Sequence, residues 1–587
     1  MIVRLAVVQI RASEKRKNKE SFPMTERLRD LNQALHVRTR IGVGSHRSRL
    51  PHYVSFMPPC NHACPAGENI QGWLAHAEKG AFEAAWRLLV QENALPAIHG
   101  RACYHPCEGQ CNRAGLDEPI AIHEVERFLG DLARENGWKV SCGAATGRRV
   151  LVVGSGPAGI ACAYHLALLG HAVEIREAAP RPGGMMAYGI PAYRLPMAVL
   201  DDEIARVLAM PGVTLRCNSR VDDLSRLMDE EKFDAAFVAV GASRALTMTL
   251  PVAQGRQAVE AIDLLHAVRE GKRPVLGRVV AVIGGGNVAM DAARTARRLG
   301  AQEVIMIYRR DRDHMPAHTE EREAAEAEGV TIRYCSIVRR FSAQGVEIEA
   351  VSLDRDNGLT PTGEIDCIPA DTVILAIGQH ADLSLCAGFT DIVIDRGDVL
   401  GVDEAFMTGH RGVFAGGDCV PGTRTMTTAT GHGKHAARAI DAYLSGLCLP
   451  VRHKPEIVTF DMMHMPLLVM AGRAKPPELP AAQRAGFEEI VAGLVEKSAR
   501  REAGRCLSCG NCYECDNCFA ACSEQAITRL GPGKGYAISA ALCTGCGDCV
   551  EQCPCTALAM RPEPVGAVLD DGAIGEPLSP VKFMVRA

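Results

Sequence analysis

The chain of 587 residues is 47% apolar and 23% charged, with a formal net charge of −4. At roughly 100 to 200 residues per domain this is too long for one hydrophobic core and predicts about three to five domains. The charge balance speaks against a polyanion-binding surface, the apolar content excludes wholesale disorder, and no run of about 18 apolar residues predicts a membrane span.

The first residues, MIVRLAVVQIRASEKRKNKE, hold a short apolar run broken by Arg4 and followed by a basic patch. They lack the longer apolar region and cleavage site of a signal peptide, so a cytoplasmic, reducing compartment is expected. Residues 1–50 read as an N-terminal extension, with Met24 an alternative start. Docking to a membrane complex stays open, and no nucleic-acid partner is expected. Of the 24 cysteines, five lie between 60 and 111, eight between 142 and 448, and eleven between 506 and 555. In a reducing compartment such clustering favours metal or redox chemistry over disulfides.

Residues 51–147 predict a small helical domain, because apolar residues recur at helical spacing over 68–92 and again near 118–135. Its loops carry Cys60-x3-Cys64-Pro and Cys103-x3-Cys107-x3-Cys111. Four soft thiolates suit a 4Fe-4S cluster or zinc, and spacing does not separate the two. His62 and His105 are read as shaping the loops.

From about 148 to 448 the texture becomes strand, glycine-rich turn and helix, the alternation of parallel α/β sheets with crossover helices. RRVLVVGSGPAGIACAYHLALLGHAVEIREA places Gly154, Gly156 and Gly159 between an apolar strand and an apolar helix. Such glycines allow a tight turn and let a pyrophosphate approach the helix N-terminus. Glu177 closes the next strand, where a carboxylate accepts hydrogen bonds from ribose hydroxyls. The second turn, VVAVIGGGNVAMDAARTARRLGAQEVIMIYRR, repeats the pattern with Gly284, Gly286, Asn287 and Ala289. Arg309 and Arg310 stand where the acid would be, and a guanidinium pair suits a 2′-phosphate, which favours NADP(H) over NAD(H). The alternative is that both arginines are solvated surface charges.

A third signal, GVFAGGDCVPG at 412–422, puts Gly417 and Asp418 between a short strand and the helical TATGHGKHAARAIDAYL. The pairing of GSGPAG with a late GVFAGGD resembles the flavoproteins built from two dinucleotide-binding domains. That resemblance implies FAD in the first site, with Asp418 near its ribityl-phosphate region. It also implies an FAD domain split between 148–255 and 385–450, with an NAD(P)H domain inserted at 256–384. FDAAFVAVGA at 233–242, which holds Gly241, and DTVILAIGQ at 371–379 resemble the crossover strands of those proteins.

PGGMMAYGIPAYRLP, YRRDRDHMPAHTEE and GRACYHPCEGQCNR narrow the resemblance, over residues 58–450. Together they resemble the small subunit of glutamate synthase and its wider family, which includes the electron-input half of dihydropyrimidine dehydrogenase. By that resemblance Gly184 and Arg194 become cofactor contacts. Met197 departs from the pattern, which has a basic residue after the RLP element. The likeness also favours 4Fe-4S over zinc for the N-terminal thiols. Relatives carry a further C-x-x-C upstream where this sequence has SHRSRLPHYVSFMPP, which implies one cluster there instead of two. Cys64, Cys103 and Cys107 rank as its ligands ahead of Cys60 and Cys111. No C-x-x-C occurs between 142 and 448, so reduction of a disulfide substrate beside the flavin is not expected. Cys162 and Cys419 are read as packing residues.

A Pro-rich connector arm is expected over 451–505, with a helical pattern in FEEIVAGLVEKSARREAG, then a cysteine-rich domain at 506–562 and a tail at 563–587. CTGCGDCVEQCP at 543–554 matches C-x2-C-x2-C-x3-C-P, the bacterial ferredoxin signature. In two-cluster ferredoxins the fourth cysteine of each run serves the other cluster. This register predicts one 4Fe-4S cluster on Cys512, Cys515, Cys518 and Cys553, and another on Cys543, Cys546, Cys549 and Cys522. Zinc held by C-x-x-C pairs is the alternative. Cys555 is a bystander. Cys506 and Cys509 stay unassigned: spare thiols, ligands in a shifted register, or part of a site completed by a partner chain.

The expected architecture is therefore multidomain. It comprises an α-helical iron–sulfur domain, two α/β Rossmann-like domains with the FAD domain discontinuous, and an α+β bacterial-ferredoxin-like domain. Its expected cofactors are FAD, NADP(H) and about three 4Fe-4S clusters. The expected function is an electron-transfer oxidoreductase subunit in a hetero-oligomer, linking NADP(H) through FAD and clusters to ferredoxin or a partner oxidoreductase; a 2-oxoacid:acceptor oxidoreductase is one candidate. No general acid or base is assigned, because the cofactors carry the chemistry. Two alternatives stay open, the small subunit of NADPH-dependent glutamate synthase and a redox-sensing or assembly module. A self-contained dihydropyrimidine dehydrogenase is not expected, since no room remains for a substrate barrel.

Overall fold

The computed structural model describes residues 47–563 except 55, 247, 249–250, 255, 355–357, 396–397, 448–454 and 466–468. Met24, most of the expected extension and the tail beyond 563 lie outside the described residues. The chain divides into two compact units, one of Phe56–Asp461 with Pro466–Cys509, the other holding the described residues up to Val54, Met462–Met465 and Gly510 onward. Among the described residues no helix is long and apolar enough to cross a membrane.

The larger unit contains two five-stranded parallel sheets. The first runs, in spatial order, Val413–Ala415, Ala235–Val238, Arg149–Val153, Ala172–Arg176, Val213–Arg216. Its central strands are apolar on both faces, as a parallel sheet covered by helices requires. The chain reverses direction across this sheet beside Arg149–Val153, which opens a crevice at the strands' carboxyl ends. The second sheet runs Val330–Arg333, Glu303–Ile307, Val279–Ile283, Thr372–Leu375, Gln257–Glu260. Because Val413–Ala415 returns to the first sheet after the second is complete, the first is built from two separated stretches of chain. Arg244–Ala245 and Gln379–His380, one on each passage between the sheets, pair antiparallel. A three-stranded antiparallel sheet, Ser336–Phe341, Val346–Leu353 and Leu359–Ile368, precedes the last strand of the second sheet.

Helix Met426–Leu444 lies in backbone contact with helix Pro157–Leu168. A Cβ at Gly433 would sit 2.1 Å from the Ala158 carbonyl oxygen, so only glycine permits this approach. One residue pair away, a Cβ at Gly431 would meet the Pro65 carbonyl at 2.2 Å. The same helix therefore binds the first sheet's helix on one side and the cysteine-bearing loop Cys64-Pro65-Ala66 on the other.

In the N-terminal region and in the connector the helical patterns break into shorter helices. The apolar pattern over 68–92 forms two helices, Ile70–Glu78 and Phe82–Leu89, because Gly80 adopts φ +75° between them. Residues 487–504 are helical only at Glu496–Ala503. Residues before it run extended, with the Ile490 N–H donating to Tyr193 O and the Ala492 N–H to Pro477 O, and Ile490 and Leu494 buried; tertiary bonding overrides the helical period. Nor is this segment a free arm, since Ala474, Leu494, Ala499 and Ala503 share a core with Trp73, Leu89 and Leu129.

In the smaller unit, strand Arg49–Tyr53 pairs antiparallel with Leu558–Pro562, and Ile527–Arg529 with Tyr536–Ile538. The boundaries expected at 50/51 and 505/506 accordingly move: residues 49–53 belong with the C-terminal unit, and Cys506 and Cys509 belong with the larger one. The ion pair Arg47–Glu563, at 2.6 Å, fastens the first and last described segments of the unit.

Gly433→Ala is expected to lower the unfolding midpoint by an amount equivalent to about 1–3 kcal/mol, the cost of overpacking a closed contact. Thermal unfolding followed by circular dichroism measures it; an unchanged midpoint would show that the contact is relieved without cost.

Candidate functional site

The first glycine turn follows Arg149–Val153. Gly154 adopts φ +102°, and a Cβ there would meet the Ala239 carbonyl at 2.4 Å; one at Gly159 would strike the Gly154 carbonyl at 1.9 Å. A Cβ at Gly156, the N-cap of helix Pro157–Leu168, would meet nothing within 4 Å. Two glycines thus close the turn against neighbouring backbone while the third leaves the helix N-terminus open, the arrangement a pyrophosphate needs. Glu177 accepts the Ser155 N–H and hydroxyl at 2.9 and 2.5 Å, which holds its carboxylate against the turn. Gly184, at φ +52°, passes so close that a Cβ would lie 2.9 Å from Gly156 Cα, and Gly241 follows strand Ala235–Val238 with φ +64°. Gly417 and Asp418 form a short 3-10 turn after Val413–Ala415. Burial raises the Asp418 pKa, and Arg424 opposes this.

The second turn repeats the first. A Cβ at Gly284 would lie 2.3 Å from the Ala376 carbonyl, one at Gly286 would meet nothing, and Ala289 is fully buried in the place of the third glycine. The Asn287 side chain accepts the His318 N–H at 2.9 Å and so holds the 314–318 loop beside the turn. Arg309 is exposed; Arg310 is half-buried with its Nε shielded from solvent and without a partner. Neither guanidinium has an ion-pair partner among the described residues.

Arg194 Nη1 reaches both Asp291 carboxylate oxygens, at 2.9 and 2.8 Å, and its Nη2 reaches Glu321 at 2.7 Å, so the guanidinium ties the first module to the second. Burial raises the Asp291 carboxyl to about 6 even with Arg194 opposing. Sequence reasoning missed Arg269. It donates to Ala187 O and Leu195 O, both at 2.9 Å, and approaches Met197 Sδ at 3.6 Å, bringing a cation to where the family pattern places a basic residue.

In the helical region Cys64, Cys103 and Cys107 line one cavity together with Glu68, Glu126 and Thr427. Thr427, in the first turn of helix Met426–Leu444, donates to Cys103 Sγ at 2.9 Å, and the His105 N–H donates to the same sulfur at 3.2 Å. Asn93 bridges Glu68 and Glu126 at 2.9 and 2.7 Å. Burial pushes the Cys103 thiol up to about 12, with Glu126 adding to the effect, and raises Cys64 and Cys107 well above the ordinary thiol range. Such thiols ionise against a metal, whose charge inverts this balance. His62 is exposed and His105 stacks on His123 at 4.1 Å. Cys60 and Cys111 do not line the cavity; the thiols nearest in charge to Cys60 are Cys506, Cys111 and Cys509. Cys162 and Cys419 are fully buried.

In the smaller unit burial raises the Cys518 and Cys549 thiols most; after it Cys518 is acted on by Cys512, Cys553, Cys515 and Cys549, and Cys549 by Cys543, Cys546 and Cys522. The two halves, paired by their cysteine spacing, also repeat each other in backbone conformation. Glu514 and Asp516 take φ +62° and +66°, Gly545 and Gly547 take +75° and +95° at matching positions, and Gln525 is matched by Thr556. The Ala526 N–H donates to Cys522 Sγ and the Ala557 N–H to Cys553 Sγ, each at 3.2 Å. Alternation of left-handed residues through such a loop turns successive N–H groups inward toward an anionic group. Cys555 Sγ lies 3.8 Å from Cys553 Sγ.

Residues 148–433 match the pyridine nucleotide-disulphide oxidoreductase family, and residues 54–138 match dihydropyrimidine dehydrogenase domain II, 4Fe-4S cluster. The chain is 35% identical to the NADP(+)-dependent formate dehydrogenase subunit beta of Moorella thermoacetica, over 77% of this chain and 70% of that one. It is 32% identical to the NADPH-Fe(3+) oxidoreductase subunit beta of Geobacter sulfurreducens (77% and 75%), and 31% identical to the glutamate synthase [NADPH] small chain of Escherichia coli (66% and 89%). The chain belongs to this family of glutamate synthase small-chain-like iron–sulfur flavoproteins. It is an NAD(P)H-dependent oxidoreductase that uses FAD and contains a 4Fe-4S domain.

A buried ion pair in this oxidoreductase gives a pH signature. His123 Nδ1 lies 2.8 Å from Glu108, and Arg473 holds the carboxylate's other oxygen at 2.5 Å. Burial disfavours charge on both partners, but the hydrogen bond and charge between them win, holding Glu108 at about 2 and His123 at about 9. The raised histidine contributes its full stability below its unfolded value of about 6.5 and loses it as pH rises through about 9. Wild-type protein is therefore expected to exceed His123→Gln in unfolding free energy by more at pH 6 than at pH 9.5, by on the order of 2 kcal/mol. Denaturant unfolding at both pH values checks this; a pH-independent gap would mean the histidine is neutral.

Proposed function

We propose that this oxidoreductase is the electron-transfer subunit of a hetero-oligomer, exchanging electrons between NADP(H) and a partner through FAD and 4Fe-4S clusters. One observation carries the reading. Helix Met426–Leu444 begins just beyond the Asp418 turn, packs along the helix of the first glycine turn, and donates through Thr427 to Cys103. The nucleotide crevice and the thiol cavity are thus held by one rigid element. In this reading FAD occupies the first turn, with Gly154, Gly156 and Gly159 admitting the pyrophosphate and Asp418 facing its polar middle portion. The second turn takes the nicotinamide nucleotide. When bound, the two nucleotides supply hydride exchange and the release of electrons one at a time.

The preference for NADP(H) rests on Arg310, whose shielded Nε lacks a protein partner and suits a 2′-phosphate, with Arg309 beside it. Cys64, Cys103 and Cys107 would hold one cluster, and the carboxylate of Glu126 lines the same cavity as a candidate fourth donor. The C-terminal unit reads as a two-cluster ferredoxin-like domain, with Cys512, Cys515, Cys518 and Cys553 on one cluster and Cys522, Cys543, Cys546 and Cys549 on the other. The two halves of its cysteine loops match in φ and in N–H···S bonding, which supports that register. The relatives named as beta subunits align over 77% of this chain, against 66% for the glutamate synthase small chain. This favours a catalytic partner other than the glutamate synthase large chain.

The isolated chain is expected to lose its flavin absorbance on anaerobic addition of NADPH and to reduce a one-electron dye. Replacing Arg309 and Arg310 together by Ser is expected to lower the preference for NADPH over NADH, in kcat/KM, at least about tenfold, since each charge-assisted hydrogen bond to a phosphate contributes about 1.5–3 kcal/mol. A flavin that NADPH leaves oxidised would overturn the reading.

A further inference from the structure

We propose that Cys60, Cys111, Cys506 and Cys509 form an additional 4Fe-4S site in the larger unit, two ligands coming from the N-terminal loops and two from the far end of the chain. This rests on the reading of the protein as an iron–sulfur oxidoreductase but assigns a cluster for which the N-terminal region alone lacks the ligands. Sequence spacing left Cys506 and Cys509 unassigned, and the family resemblance implied a single N-terminal cluster.

The fold delivers the two halves to one place and stitches them on both sides. Helix Glu496–Ala503 packs on Ile70–Glu78 and Ile122–Asn136 and ends one turn before Cys506. Arg505, buried, is fixed by Asp117 at 3.0 Å and Glu502 at 2.6 Å, and its carbonyl accepts Arg113 at 3.0 Å. On one flank the Asn112 amide, adjoining Cys111, donates to Cys509 Sγ at 3.5 Å. On the other, Gln71 donates to Ser508 Oγ at 2.8 Å, and the Gln71 N–H reaches the Asn61 oxygen that also receives the Cys60 thiol. Ser508 takes φ +52° between the two C-terminal thiols, a strained turn for a non-glycine residue that sets Cys506 and Cys509 on one side. Cys60, Cys111 and Cys506 pack in one core, and beyond burial Cys60 is acted on by Cys506, Cys111 and Cys509, and Cys506 by Cys509 and Cys111.

The chemistry of the set points to a cluster. Four thiolates with no histidine or carboxylate among them are a soft donor set, suited to iron–sulfur or zinc. The division of thiols between two adjacent sites favours a cluster. Cys60-x3-Cys64 and Cys107-x3-Cys111 each give one thiol to this site and one to the Cys64, Cys103 and Cys107 cavity. The x3 step that divides ligands between neighbouring clusters is the ferredoxin device. Both Cys60 and Cys111 also fall inside the 54–138 match to a 4Fe-4S domain.

The test uses the full chain, reconstituted anaerobically with iron and sulfide and counted per bound FAD. About 16 iron and 16 sulfide are expected, at four per cluster. Cys506→Ala with Cys509→Ala should lower both counts by about four while FAD is retained. Cys60→Ala with Cys111→Ala should produce the same loss, and all four together no further loss. The proposal is overturned if the Cys506 and Cys509 pair leaves iron unchanged, if the losses of the two pairs add, or if the wild type holds stoichiometric zinc that these variants lose. Should alanine at these positions cost FAD, Cys509→Ser alone is read by the electron paramagnetic resonance of the reduced chain. Exchange of sulfur for oxygen should shift one cluster's signal, and an unchanged spectrum would overturn the site. Failure of the functional reading looks different, because a flavin inert to NADPH leaves these iron counts untouched.

Discussion

Close backbone contact along helix Met426–Leu444 is the constraint on which the larger unit depends. Gly433 brings it against helix Pro157–Leu168, and Gly431 brings it against the carbonyl of Pro65. Between these contacts Lys434 is buried, its ammonium donating to the Ala66 carbonyl and to Glu92 at 2.7 Å, while Arg438 reaches the same carboxylate at 2.9 Å. Burial lowers the Lys434 pKa and Glu92 opposes this, so the charge is tolerated only while its partners stay in place. Glycine removes the steric obstacle and lysine supplies the directional bonds. The loop carrying Cys64 is therefore fixed relative to the nucleotide turn by groups that have no role in chemistry themselves.

The same division between close approach and buried polarity recurs where the two dinucleotide modules meet. Arg194 could have served a cofactor phosphate, yet Asp291 and Glu321 saturate it, and Tyr193 beside it packs under the guanidinium of Arg298 at 3.9 Å. Three charges in one buried cluster are costly to assemble and costlier to break singly, because each lost partner strands another in low dielectric. Such a cluster specifies one relative placement of the modules. Hydride exchange between two nucleotides held by different modules requires that specification, since reacting atoms must meet within a fraction of an ångström.

What was legible in the sequence follows from what each signal encodes. The glycine turns were readable because Gly154 and Gly284 answer a local steric demand, a positive φ beside a neighbouring strand, that few other residues meet. The two-sided apolar strands were readable for the same local reason. The ion pairs of Arg194 were not legible because family resemblance fixes a residue's identity but not its partner, and its carboxylates lie about 100 and 130 positions away in the chain, beyond any local pattern. Residues 487–495 misled because helical period is only a weak prior against the backbone hydrogen bonds that Ile490 and Ala492 donate to Tyr193 and Pro477. Strand Arg49–Tyr53 could not be placed from spacing at all, since its partner, Leu558–Pro562, is supplied by the other end of the chain.

The cysteines show where local reading stops. Within 512–553 the x3 step predicts a crossing of ligands between two loops, and positive φ at Glu514 and Asp516 in one loop, Gly545 and Gly547 in the other, gives both loops the same backbone turn. In the N-terminal region the same step is present at Cys60 and Cys64 and at Cys107 and Cys111, but it announces a second site without naming all its ligands. A pair of x3 steps divides four thiols between two neighbouring sites, so each site starts with two. Cys103 raises one of them to three, with carboxylates at hand, and the other needs a further pair from elsewhere. Read this way, the missing upstream C-x-x-C no longer signals the loss of a cluster. It signals a demand that another segment must meet, and helix Glu496–Ala503, packed against Ile70–Glu78, brings Cys506 and Cys509 to that place.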